Sequence, residues 1–125
     1  MPKILVVDDN DTLRTAICLS LEEMGCEVSQ AANGREALVR QETQPAEVLL
    51  TDLIMPEKEG VEVIREFRQR YPGVTIIAMS AGGRMSARDI LKMAHHLGAS
   101  YTLAKPFTKD QLAETLAKVL EGSVS

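Results

Sequence analysis

The chain contains only two cysteines, Cys18 and Cys26, and they form no C-x-x-C pair. A disulfide framework or a cysteine zinc site is therefore not indicated, and reduced, packed thiols in a cytoplasmic protein are expected. No apolar run approaches the length of a membrane span, and the N-terminus lacks a signal-peptide pattern. Basic residues form no cluster: 14 Lys and Arg stand against 18 Asp and Glu, for a net charge of −4. Nucleic-acid binding is a poor fit to that balance, because a phosphate backbone requires a concentrated basic footprint. Internal repeats, linkers and low-complexity tracts are missing as well. So is a glycine-rich phosphate loop after the first strand, and no His-Ser or Cys-His arrangement offers a nucleophile.

What is present suffices for one folded unit. Hydrophobic residues make up 45% of 125 residues, enough for a core. A single domain over 1–125 is expected, with its ordered part at about 3–121. Short apolar runs alternate with longer helical patterns. Ile4-Leu5-Val6-Val7 reads as a buried strand that stops at Asp8-Asp9. Leu13, Ile17, Leu21 and Met24 then recur at near-helical spacing, and Gly25 ends that helix. Glu27 to Ala31 is a more polar strand. Asn33 to Glu36 has the form of a capping box opening a second helix. Val48 to Thr51 is a third strand, ending at Asp52.

After a loop at Met55 to Gly60, the spacing of Val61, Ile64 and Phe67 predicts a third helix, closed by Pro72-Gly73. Val74 to Met79 is the fourth strand and ends at Ser80. Ser86 is a candidate cap for a fourth helix that runs to Leu97 and stops at Gly98. Tyr101 to Ala104 is a short fifth strand before Lys105-Pro106. Thr108 and Gln111 form another capping box, and Leu112, Leu116, Val119 and Leu120 stripe the last helix.

Five strands alternating with five helices predict an α/β, doubly wound parallel sheet covered on both faces. The continuous apolar runs, strands one, three and four, belong in the centre, which gives the order 2-1-3-4-5. Right-handed crossovers put helices one and five on one face and the other three on the opposite face.

Ligands in such a sheet bind beyond the carboxyl ends of the strands, where the strand order reverses. This sequence places Asp8 and Asp9, Asp52, Ser80 and Lys105 at those ends. Taken singly, an aspartate after a strand is most often a turn or helix cap. Their coincidence at one edge points to a site. Two carboxylates about 5 Å apart, at an effective dielectric near 20, repel by about 3 kcal/mol. A hard divalent cation such as Mg2+, with oxygen ligands, offsets that repulsion, and Lys105 adds a second positive charge. A carboxylate beside both can attack a phosphoryl group whose charge they neutralise, and Ser80 can donate a hydrogen bond to it.

The run V-V-D-D-N, then L-L-T-D-L-I-M-P, A-M-S-A and A-K-P-F, resembles the receiver domain of two-component response regulators. The similarity spans about residues 3–121 and implies a flavodoxin-like fold; the chemotaxis receiver that serves as a common example of this strand order is a relative. The resemblance implies that Asp52 accepts a phosphoryl group from a phosphohistidine on a sensor histidine kinase or a phosphotransfer protein. It implies that Asp9, Asp52 and the Ile54 backbone carbonyl bind Mg2+, with Asp8 acting through water. Lys105 would pair with the phosphoryl group, Ser80 would be the switch hydroxyl, and the amides of Ile54 and Ala81 would contact phosphoryl oxygens. A cis Lys105-Pro106 peptide is also implied, and proline lowers the cost of cis. A downstream protein would dock on the face made by helix four, strand five and helix five. The charge balance and the lack of a long apolar run leave out nucleic acid and membrane as expected partners.

Three features depart from the family pattern. Thr102 stands where an aromatic is usual, and strand alternation sends the neighbouring Tyr101 to the opposite face. The stretch from Ser80 to Gly98 is about three residues longer than in the chemotaxis relative. The added length is expected in Ala81-Gly82-Gly83-Arg84-Met85, a loop that would carry much of the structural response. Ile54 replaces a polar residue that helps orient attacking water, which predicts slow loss of the phosphoryl group. His95-His96 point in different directions on a helix and do not make a metal pair. Ile90 and Met93 either belong to the core or form an apolar docking strip on helix four.

Two other readings compete. One is a phosphatase of the haloacid-dehalogenase type, which Asp9-Asn10-Asp11 superficially fits; it leaves Asp52 unexplained and requires a deeper pocket. The other is a docking module without phosphorylation, which Asp9, Asp52 and Lys105 argue against. With no output segment expected after the last helix, a stand-alone receiver acts through binding, unless the chain is part of a longer protein.

Overall fold

The computed structural model describes residues 2–53, 59–81 and 87–124. Its elements alternate along the chain: β1 Lys3–Val7, α1 Asp11–Glu23, β2 Glu27–Ala31, α2 Gly34–Thr43, β3 Val48–Asp52, α3 Glu59–Arg70, β4 Thr75–Ala81, α4 Ala87–Leu97, β5 Tyr101–Lys105 and α5 Lys109–Val124. All five strands are parallel, in the order β2-β1-β3-β4-β5. The apolar central runs are buried on both faces: Ile4 to Val7 and Val48 to Leu50 are all 2% exposed or less, which only a sheet covered twice allows.

Alternation along the strands divides the core into two layers. Leu5, Val7, Leu49, Ile76 and Ala78 pack with Ala37 of α2, Val63, Ile64 and Phe67 of α3, and Met93 and Leu97 of α4. Ile4, Val6, Leu50, Ile77, Met79 and Leu103 pack with Ile17, Cys18 and Leu21 of α1 and Leu112, Leu116 and Val119 of α5. Helices one and five thus share one face, as the crossover rule requires. Met93 belongs to the core layer; Ile90 lies outside the described side chains, as does Val61. Cys18 and Cys26 are buried, free thiols. His95 and His96 are exposed.

The local signals read from the sequence form as hydrogen bonds. At α5, the Gln111 amide donates to Thr108 Oγ1 at 3.1 Å and the Thr108 amide donates to Gln111 Oε1 at 2.8 Å, a reciprocal capping box. At α2, the Glu36 amide donates to Asn33 Oδ1 at 2.9 Å. The return bond differs from the expected box: Glu36 accepts from the Asn33 side-chain amide and from the Ala32 amide. Gly25 and Gly98 end α1 and α4 with φ of +90° and +109°, a conformation that glycine adopts without steric cost.

Several boundaries differ from the sequence reading. β1 begins at Lys3, α3 begins at Glu59 rather than Val61, β4 begins at Thr75 rather than Val74, α5 continues to Val124, past the expected end of the ordered part at about 121, and β4 and β5 run on through Ser80-Ala81 and Lys105. The two strands extend together because their ladder continues, with Ser80 opposite Ala104 and Ala81 opposite Lys105. A pairing partner of that kind is invisible to single-strand hydrophobicity.

Candidate functional site

Strands β1 and β3 are neighbours, and their crossovers leave in opposite directions to α1 and α3. Their carboxyl ends therefore face an open crevice. Val7 pairs with Thr51 in the register, so Asp8 and Asp52 leave the sheet side by side. The main chain is pinned there. The Asp8 amide donates to the Ala31 carbonyl at 3.2 Å, and the Leu53 amide donates to the Met79 carbonyl at 2.8 Å. Both contacts continue the ladders one step past the strands.

Asp8, Asp9 and Asp52 each present a carboxylate oxygen, and these oxygens lie within 4.8 Å of one another. Asp8 and Asp52 are buried, whereas Asp9 is exposed. Lys105 reaches across from β5: its Nζ donates to Asp8 Oδ2 at 2.7 Å and to Asp52 Oδ2 at 3.0 Å. Burial alone would lower the Lys105 pKa. The hydrogen bonds to Asp8 and Asp52, with the charges of both, outweigh it and the pKa is raised. Lys105 stays an ammonium and compensates two buried carboxylates. Nothing of the kind compensates Asp9 among the described residues. The cluster of three oxygens around one cationic contact is a hard, anionic donor set of the sort that Mg2+ takes.

Ser80 is buried at 3% exposure. It lies on the same sheet face as Ala78 and Ile76, the α3/α4 side, and Thr102 sits opposite Ala78 in the β4–β5 ladder. Tyr101 is on the other face, where its ring packs into the α1/α5 layer and its hydroxyl donates to the Lys118 carbonyl at 3.3 Å. Lys105-Pro106 is a cis peptide. Ala81 is the last residue of β4. Ile54, Gly82 and Gly83, and with them Arg84, Met85 and the Ser86 cap, lie outside the described residues.

Two residues at this edge went unmarked in the sequence. Asn10 caps α1, accepting from the Leu13 amide at 3.0 Å, while its own amide donates to Asp8 Oδ1 at 2.9 Å. The D-x-D look of Asp9-Asn10-Asp11 is thus a helix start, a cap followed by an acid in the first turn. Arg14 folds back over that turn. Its Nη1 donates to the Asp8 carbonyl at 2.7 Å, Nε to Gln30 Oε1 at 3.0 Å and Nη2 to Asp11 Oδ1 at 2.6 Å. The i, i+3 spacing of Asp11 and Arg14 was a legible signal; the bond to a carbonyl six residues back was not.

A family model described as the response regulator receiver domain matches residues 4–117. The chain therefore belongs to the response regulator receiver domain family. Chemotaxis protein CheY of Thermotoga maritima is 31% identical over 118 residues, covering 94% of this chain and 96% of that protein. Sporulation initiation phosphotransferase F of Bacillus subtilis is 30% identical over 118 residues, covering 94% and 93%. Among solved structures, the chemotaxis protein CheY4 of Vibrio cholerae matches with a TM-score of 0.85 and 31% identity, over 95% of this chain and 98% of that one. The chain spans 49% of one longer curated relative and 17% of another.

Receiver domains are phosphoacceptor switches of two-component systems and are signalling modules rather than classical enzymes. The phosphatase and docking-module readings find no support in these comparisons. Among the described residues, no helix is long and apolar enough to cross a membrane.

Proposed function

We propose that Asp52 is the phosphoacceptor, that it takes a phosphoryl group from a phosphohistidine of a sensor histidine kinase or phosphotransfer protein, and that the new charge alters binding to a downstream protein. The observation that carries this is the convergence of Asp8, Asp9 and Asp52 on one crevice with Lys105 bridging two of them. Mg2+ would be held by Asp9, Asp52 and the Ile54 carbonyl, with Asp8 acting through water. When bound, the ion neutralises phosphoryl oxygens and offsets the repulsion among the carboxylates.

The remaining chemistry belongs to the chain. An Asp52 carboxylate oxygen attacks phosphorus, an O–P bond forms, and the P–N bond to the donor imidazole breaks, with the electron pair leaving on nitrogen. Lys105 Nζ already sits 3.0 Å from Asp52 Oδ2, close enough to pass to a phosphoryl oxygen on the same carboxylate. The Ser80 hydroxyl, on the α3/α4 face, supplies the hydrogen bond that reports the phosphoryl group to the sheet, and the Ile54 and Ala81 amides complete the contacts. Phosphorylation adds a charge of about −1.5 to −2 at an edge already crowded with carboxylates. It biases the surface formed by α4, β5 and α5, with Thr102 and the Ala81-Gly82-Gly83 segment as the responding part. The reading places the protein in the cytoplasm.

Incubation with acetyl phosphate and Mg2+, followed by intact mass measurement, tests this. The native chain gains one phosphoryl group, and Asp52→Asn gains none. Labelling that survives in Asp52→Asn, or turnover of a small phosphate ester, would overturn the assignment. In the same sample, Ile54 predicts a label that persists well beyond seconds.

A further inference from the structure

Asp9 is the least supported of the three carboxylates. It is exposed and makes no hydrogen bond or ion pair among the described residues, yet its oxygen lies within 4.8 Å of those of Asp8 and Asp52. Two negative neighbours would push an unrestrained carboxylate out toward water, so the main chain must aim it inward.

That main chain is held from one side by Arg14. The peptide between Asp8 and Asp9 is a rigid plane that carries the Asp8 carbonyl at one corner and the Asp9 nitrogen and Cα at others. The Asp8 amide is fixed to the Ala31 carbonyl, so the free rotation left to this plane is about Asp8 ψ. Arg14 removes it by donating to the Asp8 carbonyl at 2.7 Å. The guanidinium can act as a fixed point because its other corners are anchored, on Gln30 of β2 and Asp11 of α1, and its side chain is only 13% exposed. Three donors in one rigid fork tie the residue after β1 to β2 and to the first turn of α1, a geometry that lysine cannot reproduce.

We propose that Arg14 is a positioning residue of the cation site: it fixes the Asp8–Asp9 peptide and thereby holds the Asp9 carboxylate within the cluster. This rests on the Mg2+ reading above. It makes a prediction of unexpected sign. By charge alone, removing a cation near the site would strengthen Mg2+ binding. By positioning, removing it weakens binding, and loss of an outer partner of this kind typically costs about tenfold or more in metal affinity.

Mg2+ titrations of the full chain, by calorimetry and by amide chemical shifts, decide between them. The native protein, Arg14→Met, Arg14→Lys and Gln30→Ala would be compared, each first checked for a native amide spectrum. Both Arg14 variants are expected to bind Mg2+ about tenfold more weakly, and to shift the Asp9 amide resonance in metal-free buffer. Gln30→Ala, which removes one anchor of the guanidinium but leaves its bond to the Asp8 carbonyl, is expected to weaken binding less than either Arg14 variant. Unchanged or tighter Mg2+ binding in Arg14→Lys, whose charge is retained, would overturn the positioning role while leaving the receiver reading intact, even if Arg14→Met failed to fold. A native chain that binds no Mg2+ would overturn both.

Discussion

At Lys105 the requirements of folding meet those of the proposed chemistry. Asp8 and Asp52 are buried, and a buried carboxylate is tolerated only when it is paired and hydrogen-bonded. Lys105 pairs both, at 2.7 and 3.0 Å. Lys105→Met removes the ammonium that Asp8 and Asp52 share in one crevice. Denaturant unfolding in metal-free buffer is expected to show a loss of about 3 kcal/mol, in the range for breaking a buried pair by removing one partner. Added Mg2+ is expected to recover much of that loss, because the cation supplies the missing charge. A variant equally destabilised with and without Mg2+ would separate the lysine from the cation site. Lys105 was readable in the sequence as a cation after the fifth strand. Its reach to Asp8, 97 positions away, was not.

Among the elements, β5 decides what kind of switch this protein can be. Its alternation places Thr102 on the Ser80 face and Tyr101 in the α1/α5 layer, with the Tyr101 hydroxyl bonded to the Lys118 carbonyl. An aromatic ring swinging toward the Asp52 edge is therefore unavailable to this strand: Tyr101 would have to cross the sheet, and Thr102 has no ring. The response is expected in the segment after β4 instead. Hydrogen exchange with and without a phosphoryl mimic such as beryllofluoride should change protection at residues 81–87. Protection that stays the same there, with changes confined to β5, would contradict this. The Asn33 cap, the capping box at Thr108 and the glycine stops at 25 and 98 were legible element by element, since each is a contact within a few residues. The last steps of β4 and β5 were not, since strand length there depends on a partner strand more than twenty residues away in the chain.

For the molecule as a whole, the two-layer core sets how stability depends on pH. Cys18 and Cys26 both sit in the α1/α5 layer. Burial raises both thiol pKa values above 9.0; for Cys18 the charge of Glu22 adds to burial and that of Arg14 opposes it, and for Cys26 the N-terminal charge opposes it. With the folded pKa above the unfolded one, the unfolded chain loses these protons first as pH rises. The stabilisation is thus complete below pH 9.0 and declines as pH climbs through the raised folded values. Unfolding free energies measured from pH 7.5 to 10.5 should fall more steeply for the native chain than for the Cys18→Ala, Cys26→Ala double variant. Parallel slopes would show that the thiols do not contribute. At neutral pH the same burial predicts slow reaction of both thiols with alkylating reagents until the chain unfolds.

The sequence by itself determined the element types, the strand order, the caps at Asn33 and Thr108 and the identity of the residues at the sheet edge. Each of those follows from short-range periodicity, capping chemistry and the handedness of the crossover, which neighbours along the chain decide. The tertiary structure alone decided which groups meet. It brought Lys105 to Asp8 and Asp52, aimed Asp9 through the Arg14 clamp, and turned Tyr101 away from Ser80. Those contacts join residues on different elements, so side-chain reach and strand register set them, and neither is written in any one segment.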